Sequence, residues 1–224
     1  MARPLPPPLP PAERTVGQVV AEAIRLYGAR WAPALLLGLP IALVDQASEG
    51  RSLGVQTLIL WAGAPLVTAA FVGAVALVAP TEVPRRALLT AYASGLLVFG
   101  PVPALVRLYV LPALAWLALF GLSVPAAAIE RLGVRAALAR GRQLAAADYV
   151  HALGSLCALG IVYFVTRALL FFLLRGQADA AERVAAFLGD VVVSPLLYLG
   201  AALLYFDQAA RLSVAETDGK IRTA

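Results

Sequence analysis

Residues 53–79 read LGVQTLILWAGAPLVTAAFVGAVALVA, and this stretch decides the class of fold because it contains no charged side chain. A helix that crosses the hydrocarbon core of a bilayer needs about 20 consecutive apolar residues. The stretch exceeds that length. It is therefore predicted to cross a membrane as one helix.

The rest of the chain has the same character. Of its 224 residues, 61% are hydrophobic and 14% are charged, and the mean hydropathy is +0.84. Soluble domains have about 45–50% apolar and about 25% charged residues. Disordered chains are poor in apolar residues. The composition excludes both classes and predicts an all-α fold, a polytopic membrane helix bundle.

Five further apolar segments lie before and after residues 53–79. In chain order the six segments are 31–44, 53–79, 87–106, 108–129, 149–174 and 184–206. Six spans leave only short loops and no room for a soluble catalytic domain. The segment at 31–44 is short, so it must extend into 45–47 or thin the bilayer locally.

The third and fourth segments are the hardest to divide. Arg107 alone separates them, and Pro101, Pro103 and Pro112 interrupt them. Proline breaks the hydrogen-bond pattern of a helix. Two interpretations stay open for residues 87–129: two full spans, or a re-entrant pair.

The distribution of basic residues predicts the orientation, because cytoplasmic loops carry an excess of Lys and Arg. With the N-terminus inside, 13 basic residues lie on the inner side and four on the outer side: Arg3, Arg14, Arg25, Arg30, Arg85, Arg86, Arg131, Arg135, Arg140, Arg142, Arg211, Lys220 and Arg222 against Arg51, Arg107, Arg175 and Arg183. Both termini are therefore predicted to be cytoplasmic, in the cytoplasmic (inner) membrane. Residues 1–12 form a Pro-rich disordered tail, 13–212 a single membrane domain, and 213–224 a short cytoplasmic tail.

A helical period begins after Thr15, where Gln18 is placed to complete a capping box. Apolar side chains from Val16 to Trp31 share one face, and Glu22 and Arg25 lie on the other. This pattern predicts an amphipathic helix in the membrane interface. A cytoplasmic extension of the first span is the alternative.

A second amphipathic stretch, ERLGVRAALARGRQLAAADY at 130–149, precedes the fifth span. Arg131, Arg135 and Arg142 form a ridge beside its apolar stripe and are predicted to contact lipid headgroups. Both amphipathic stretches run into a span through an aromatic residue. This favours an internal repeat of three hairpins, with residues 83–94 as the middle copy.

Few residues could support catalysis. The chain has one cysteine (Cys157), one histidine (His151) and one lysine, which excludes a Cys/His metal cluster and a disulfide within the chain. His151 and Cys157 lie about 240° apart around a helix, so small-residue packing explains Ser155 and Cys157 better than a nucleophile and base. No catalytic residue, metal, cofactor or nucleic-acid partner is predicted.

Arg167 and Asp190 are the only charges deep in the apolar segments. Arg167 lies eight residues before Arg175, and Asp190 lies seven residues after Arg183, which places them about 12 Å and about 10.5 Å below the same surface. Since the depths match, an ion pair that joins the last two helices is predicted. A structural role is favoured over substrate binding.

Three stretches resemble a known family: TVGQVVAEAIRLYGARW, VPAAAIERLGVRAALARGRQLAAADYVHALG and LLYFDQAARLSVAETDG. They look like the membrane domain associated with bacterial glycerophosphoryl diester phosphodiesterases and related six-span membrane proteins. Tyr205, Asp207 and Arg211 match the closing motif of that family. The resemblance implies fold and location and no hydrolytic activity, because hydrolysis belongs to an associated catalytic barrel.

Two functions follow from these observations. The favoured one is a non-enzymatic integral membrane protein, a structural or accessory module that contacts membrane lipids through its interfacial helices. The alternative is a small solute or lipid transporter or channel, which usually has several polar groups near mid-membrane. A second copy of the chain and another membrane protein both stay open as partners.

Overall fold

The computed structural model describes residues 10–176 and 178–223, and all regular structure in these ranges is helical. The predicted all-α fold is confirmed. A one-turn 3-10 helix, Pro11–Glu13, comes first. The α-helices are α1 (Val16–Ala29), α2 (Trp31–Ser48), α3 (Leu53–Val78), α4 (Arg85–Phe99), α5 (Val102–Leu108), α6 (Val110–Phe120), α7 (Ser123–Ile129), α8 (Val134–Ala147), α9 (Tyr149–Leu174) and α10 (Asp179–Thr223). Most of the predicted N-terminal tail, residues 1–9, lies outside the described residues.

Six helical segments are long and apolar enough to cross a membrane: Trp31–Ser48, Leu53–Val78, Arg85–Leu108, Val110–Ile129, Tyr149–Leu174 and Ala180–Thr217. The six-span prediction is confirmed at this level. Large apolar side chains cover the outside of the bundle; Leu36 is 64% exposed and Phe172 is 66% exposed. Such a surface is typical of a protein in contact with lipid. The chain is a multi-pass integral membrane protein.

The ends of two spans differ from the apolar segments of the sequence. The first span extends past residue 44 to Ser48 and so includes Asp45. The last helix continues beyond residue 206 to Thr223, so the predicted tail at 213–224 begins as helix. At the first place α2 packs on α10, and in the second helix Asp207 and Arg211 contact Arg14 and Asp148. Hydropathy alone does not register such tertiary contacts.

The third and fourth spans are both broken. Gly100 and Pro101 separate α4 from α5 within the third span, and Gly121 and Leu122 separate α6 from α7 within the fourth. Tyr109 joins the two spans in an extended conformation (φ −168°, ψ 159°). Two indole groups donate to carbonyls beside the first break: Trp61 Nε1 to Gly100 O (2.9 Å) and Trp116 Nε1 to Val98 O (2.8 Å). These bonds satisfy carbonyls that a broken helix exposes to an apolar environment. The re-entrant interpretation stays open.

The long helix α10 is the centre of the bundle and packs on α2, α9, α1 and α3. Gly38 of α2 lies against the backbone of Val191, and any Cβ at this glycine would collide with the Val191 carbonyl. The close approach of α2 and α10 therefore requires glycine. Phe71 and Leu199 belong to the main buried core beside this contact.

The predicted capping box is present, with the Thr15 N–H donating to Gln18 Oε1 at 2.7 Å. The chain leaves helical geometry at Arg30 (φ −129°, ψ 39°), so α1 is a helix separate from α2 and not its straight extension. Helix α1 packs on α9 and α10 and buries Val19 and Ala23. Its opposite flank is exposed at Ile24 (51%).

Helix α8 also lies against protein. It packs on α6, α7 and α10 and buries Ala137, Gly141 and Ala145, three members of the predicted apolar stripe. Helices α1 and α8 each have 14 residues, and α4 has 15. The middle copy predicted at 83–94 corresponds to the first part of α4, which continues to Phe99. Because α4 itself belongs to the third span, the repeat of three hairpins stays a prediction.

Candidate functional site

The first polar site lies between α2, α9 and α10 and consists of Asp45, Tyr163, Arg167 and Asp190; we call it the Arg167 cluster. Arg167 Nη1 donates to both carboxylate oxygens of Asp190, at 2.9 and 2.8 Å. Arg167 Nη2 donates to Asp45 Oδ2 at 2.9 Å. The structure thus brings the two residues of the predicted ion pair together and adds a second carboxylate to them.

Tyr163 completes this cluster. It lies one turn before Arg167 on α9, and its hydroxyl donates to Asp190 Oδ1 at 2.8 Å. The Asp190 side chain is fully buried, whereas those of Arg167 and Asp45 are 28% and 38% exposed. A buried carboxylate is tolerated when it is paired and hydrogen-bonded. The guanidinium therefore bridges a buried acid and a partly exposed one, a geometry that holds three spans together.

The second polar site joins the beginning of the described chain to its last helix and consists of Arg14, Asp148, His151, Asp207 and Arg211; we call it the Asp207 cluster. Arg14 Nη1 donates to Asp207 Oδ1 at 3.1 Å. Arg211 donates to Asp148 Oδ2 at 2.9 Å and to the Arg14 carbonyl at 2.7 Å. These contacts tie the segment before α1 and the start of α9 to α10.

His151 occupies the middle of the Asp207 cluster. Its ring nitrogens lie 3.5 Å from Arg211 Nη2 and 3.8 Å from Asp207 Oδ2. Its backbone N–H donates to Asp148 Oδ1, the N-cap of α9. Among the described residues no hydrogen bond joins His151 to Ser155 or Cys157. The arrangement around the imidazole is an ion-pair network.

Several buried atoms in and beside the Asp207 cluster have no hydrogen-bond partner among the described residues. They are His151 Nε2, Asp207 Oδ2, Arg211 Nε and, on the neighbouring residue, Gln208 Oε1. Buried polar atoms are normally paired. The cluster can therefore make further hydrogen bonds.

The neighbouring Glu130 forms a third polar contact on the same side of the bundle. It accepts from Arg140 Nε at 3.0 Å and from the Tyr205 hydroxyl at 2.8 Å. Sequence reasoning did not find this contact, although Tyr205 belongs to the quoted closing motif. The resemblance held part of the signal, because residues of the second and third quoted stretches meet here and in the Asp207 cluster.

The three arginines predicted to contact lipid headgroups lie apart from both clusters. Arg131 follows α7 in a left-handed conformation (φ 56°), and Arg135 and Arg142 are on α8. All three are exposed. Arg140 of the same helix instead pairs with Glu130. The three arginines are therefore exposed on and just before α8, on the side that faces away from the bundle, while the apolar side of α8 packs on other helices.

An apolar cavity of about 310 Å³ lies between α3, α5, α6, α9 and α10. Tyr163 and Tyr198 are its only polar lining residues among those that the structure describes. Cavities of several hundred Å³ hold small molecules in many proteins. No group of three or more His, Cys, Asp or Glu suited to a metal occurs in the described ranges.

Comparisons with protein-family models, with curated proteins and with solved structures find no match to this chain. The resemblance to a phosphodiesterase-associated membrane domain therefore stays a prediction.

Proposed function

We propose that this chain is a non-enzymatic protein of the cytoplasmic membrane, a structural or accessory module that holds anionic lipid headgroups through α8. The observation that supports the proposal is that α8 has a buried apolar side and an exposed basic side. Its apolar stripe is buried on α6, α7 and α10, while Arg131, Arg135 and Arg142 around it are exposed. Exposed arginines at a membrane surface attract anionic lipid by about 1 kcal/mol each.

The decisive test uses the full chain in nanodiscs, because an isolated 130–149 peptide would expose the stripe that α7 covers. Anionic phosphatidylglycerol is added to phosphatidylcholine, and the bound anionic lipid is counted by native mass spectrometry. We expect the triple variant Arg131→Gln, Arg135→Gln, Arg142→Gln to lose most of the preference for anionic lipid.

The matched control changes the three exposed arginines of the opposite side, Arg51, Arg107 and Arg175, to Gln. This control should keep the preference. Equal retention of anionic lipid by both triple variants would refute headgroup contact through α8.

Orientation is part of the proposal, supported by the ratio of 13 inner to four outer basic residues. Reporter fusions at Arg51, Arg107 and Ala180 should all report an external position. A cytoplasmic signal at Arg107 would favour the re-entrant interpretation of residues 87–129.

Membership in the phosphodiesterase-associated membrane-domain family is proposed alongside. It is supported by contacts between the middle and last quoted stretches, in which Arg211 contacts Asp148 and Tyr205 contacts Glu130. The first stretch contains α1, which packs on α9 and α10, and Arg14 just before it contacts Asp207.

A transporter or channel is the second candidate. The breaks at Gly100–Pro101 and Tyr109 and the partly exposed Arg167 cluster favour it, because transporters often use interrupted helices and intramembrane charges. Solute flux into reconstituted vesicles tests it. A stable Arg167 variant that loses a measurable flux would replace the accessory role with transport.

A further inference from the structure

One residue that lines the apolar cavity between α3, α5, α6, α9 and α10 carries a polar atom whose bonding is incomplete. The hydroxyl of Tyr198 is buried and has no hydrogen-bond partner in the part of the chain that the structure describes. The other lining tyrosine, Tyr163, already donates to Asp190. A buried hydroxyl without a partner is costly, so a ligand that accepts from Tyr198 would be stabilised.

We propose that this cavity binds an uncharged lipid, a mostly hydrocarbon molecule whose carbonyl oxygen accepts a hydrogen bond from Tyr198. The proposal goes beyond headgroup contact through α8 and uses none of its arginines. Diacylglycerols and isoprenoid quinones both have this chemistry.

The lining selects an uncharged molecule. All lining residues other than the two tyrosines are apolar, and none is charged. An ionised headgroup in such a cavity would lose its hydration without gaining a partner. A hydrocarbon chain or an uncharged ring would instead keep the apolar contacts that lipid gives it.

The depth of Tyr198 supports the same selection. It lies eight residues after Asp190 and nine residues before Asp207 on α10, which is about 12 Å and about 13.5 Å along the helix. The Asp207 cluster is thus far from the hydroxyl, and the Arg167 cluster borders the cavity only through Tyr163. The headgroup of a phospholipid lies in the polar surface of a bilayer, whereas an uncharged lipid can carry its carbonyl into the hydrocarbon core.

The cavity also reaches the outside of the bundle. Its lining includes Val106, Val110 and Phe164, which are 39%, 44% and 57% exposed. These side chains are on α5, α6 and α9, and the first two flank Tyr109, where the third span meets the fourth. A ligand can therefore enter sideways from the hydrocarbon region without crossing a polar surface.

The test measures binding to the full chain in nanodiscs by native mass spectrometry, with 1,2-dioctanoylglycerol and decylubiquinone as separate probes. Dioctanoylphosphatidylglycerol is the charged comparison. We expect one equivalent of at least one uncharged probe to bind saturably, and the tighter probe identifies the source. Tyr198→Phe should weaken that binding about tenfold, because it removes the hydrogen bond and keeps the ring.

Gly160→Leu tests the location. Gly160 lines the cavity, and a Cβ there would meet no atom within 4 Å, so leucine can fill the space without a clash at its first atom. This variant should abolish binding. Gly54→Leu is the matched control, since it also has open space and lies outside the cavity; it should bind as the wild type does.

Three results would overturn the proposal: no saturable binding of either uncharged probe, unchanged binding in Gly160→Leu, or equal binding of the charged lipid at the same site. A dimer that Gly160→Leu dissociates would assign the cavity to a second copy of the chain. Unchanged binding in Tyr198→Phe would overturn the role of the hydroxyl. Failure of headgroup contact through α8 is recognised separately, because it affects the anionic-lipid count and not these probes.

Discussion

The Arg167 cluster and the Asp207 cluster are both built from arginines and carboxylates, but they differ in charge balance and in how fully their atoms are paired. The Arg167 cluster has one guanidinium for two carboxylates, and none of its described buried side-chain atoms lacks a partner. The Asp207 cluster has two guanidinium groups, two carboxylates and an imidazole, and three of its buried atoms lack one. The Arg167 cluster is thus fully bonded and holds helices together, whereas the Asp207 cluster has buried atoms that can make further hydrogen bonds.

The difference follows from position. Arg167 and Asp190 lie within the apolar segments of α9 and α10, where an unpaired charge costs about 2.5–3.5 kcal/mol on insertion scales. The Asp207 cluster lies where α9 begins and α10 continues beyond its apolar part, beside the segment before α1. Complete pairing is therefore most strongly required at the first site.

The largest effect is expected from Arg167→Leu, which leaves both Asp45 and Asp190 without their guanidinium. Breaking a buried ion pair costs about 3–5 kcal/mol. Asp190→Leu should cost less, because Arg167 keeps Asp45. Unfolding in detergent, followed with heat or denaturant, measures both variants.

The double variant Arg167→Leu, Asp190→Leu should lose less stability than the sum of the single changes, by about 0.5–3 kcal/mol. Arg175→Leu, at the exposed end of the same helix, is the control and should change stability by about 0.5 kcal/mol or less. Strictly additive losses would show that the pair contributes no coupling.

The second prediction concerns how closely the helices approach beside each cluster. Gly38→Ala forces a Cβ into the Val191 backbone of α10 and should lower the free energy of unfolding by about 1–3 kcal/mol. Gly141→Ala meets Ser123, whose hydroxyl can rotate away although its backbone cannot. It should therefore cost less than Gly38→Ala.

Gly28→Ala is the control for these two variants. A Cβ at Gly28 has no neighbour within 4 Å, and Ala is the better helix former by about 0.5–1 kcal/mol, so this change should stabilise the protein. The expected order of stability is Gly28→Ala, wild type, Gly141→Ala, Gly38→Ala. The reverse order for Gly38 and Gly141 would mean that α8, and not α2, limits the packing of the bundle.

The smallest effect is expected from Asp207→Asn. Asp207 Oδ1 accepts from Arg14, whereas Oδ2 has no hydrogen-bond partner among the described residues. Loss of one charge-assisted hydrogen bond corresponds to about 1.5 kcal/mol. The isosteric Asp190→Asn serves as the comparison in the same unfolding assay. If Asp207→Asn costs more than Asp190→Asn, the assignment of the structural role to the Arg167 cluster is wrong.

The sequence predicted much of the fold because hydropathy and helical period are local properties. The six spans, the helix after Thr15 and its capping box all follow from residues close together in the chain. The juxtaposition of Arg167 and Asp190 could also be predicted, since the turn between α9 and α10 fixes the relative depth of the two charges.

The rest depended on contacts between distant residues. Asp45 lies just past an apolar segment, and only the packing of α2 on α10 brings it to Arg167. Arg14 and Arg211 entered the count of basic residues as topology signals, and nothing local indicated that each contacts an acid far along the chain. Prolines in the sequence indicated the breaks beside Gly100 and Tyr109. Nothing in the sequence indicated that two tryptophans donate hydrogen bonds to the carbonyls beside the first break.

The central position of α10 has a consequence for how the protein is made. A ribosome makes α10 after α2 and α9, and α10 carries Asp190. Before α10 is made, Asp45 is the only partner that the Arg167 cluster offers to Arg167 from an earlier helix. The synthesis of α10 therefore supplies the buried carboxylate, and a chain that stalls before it carries an incompletely neutralised arginine into the translocon.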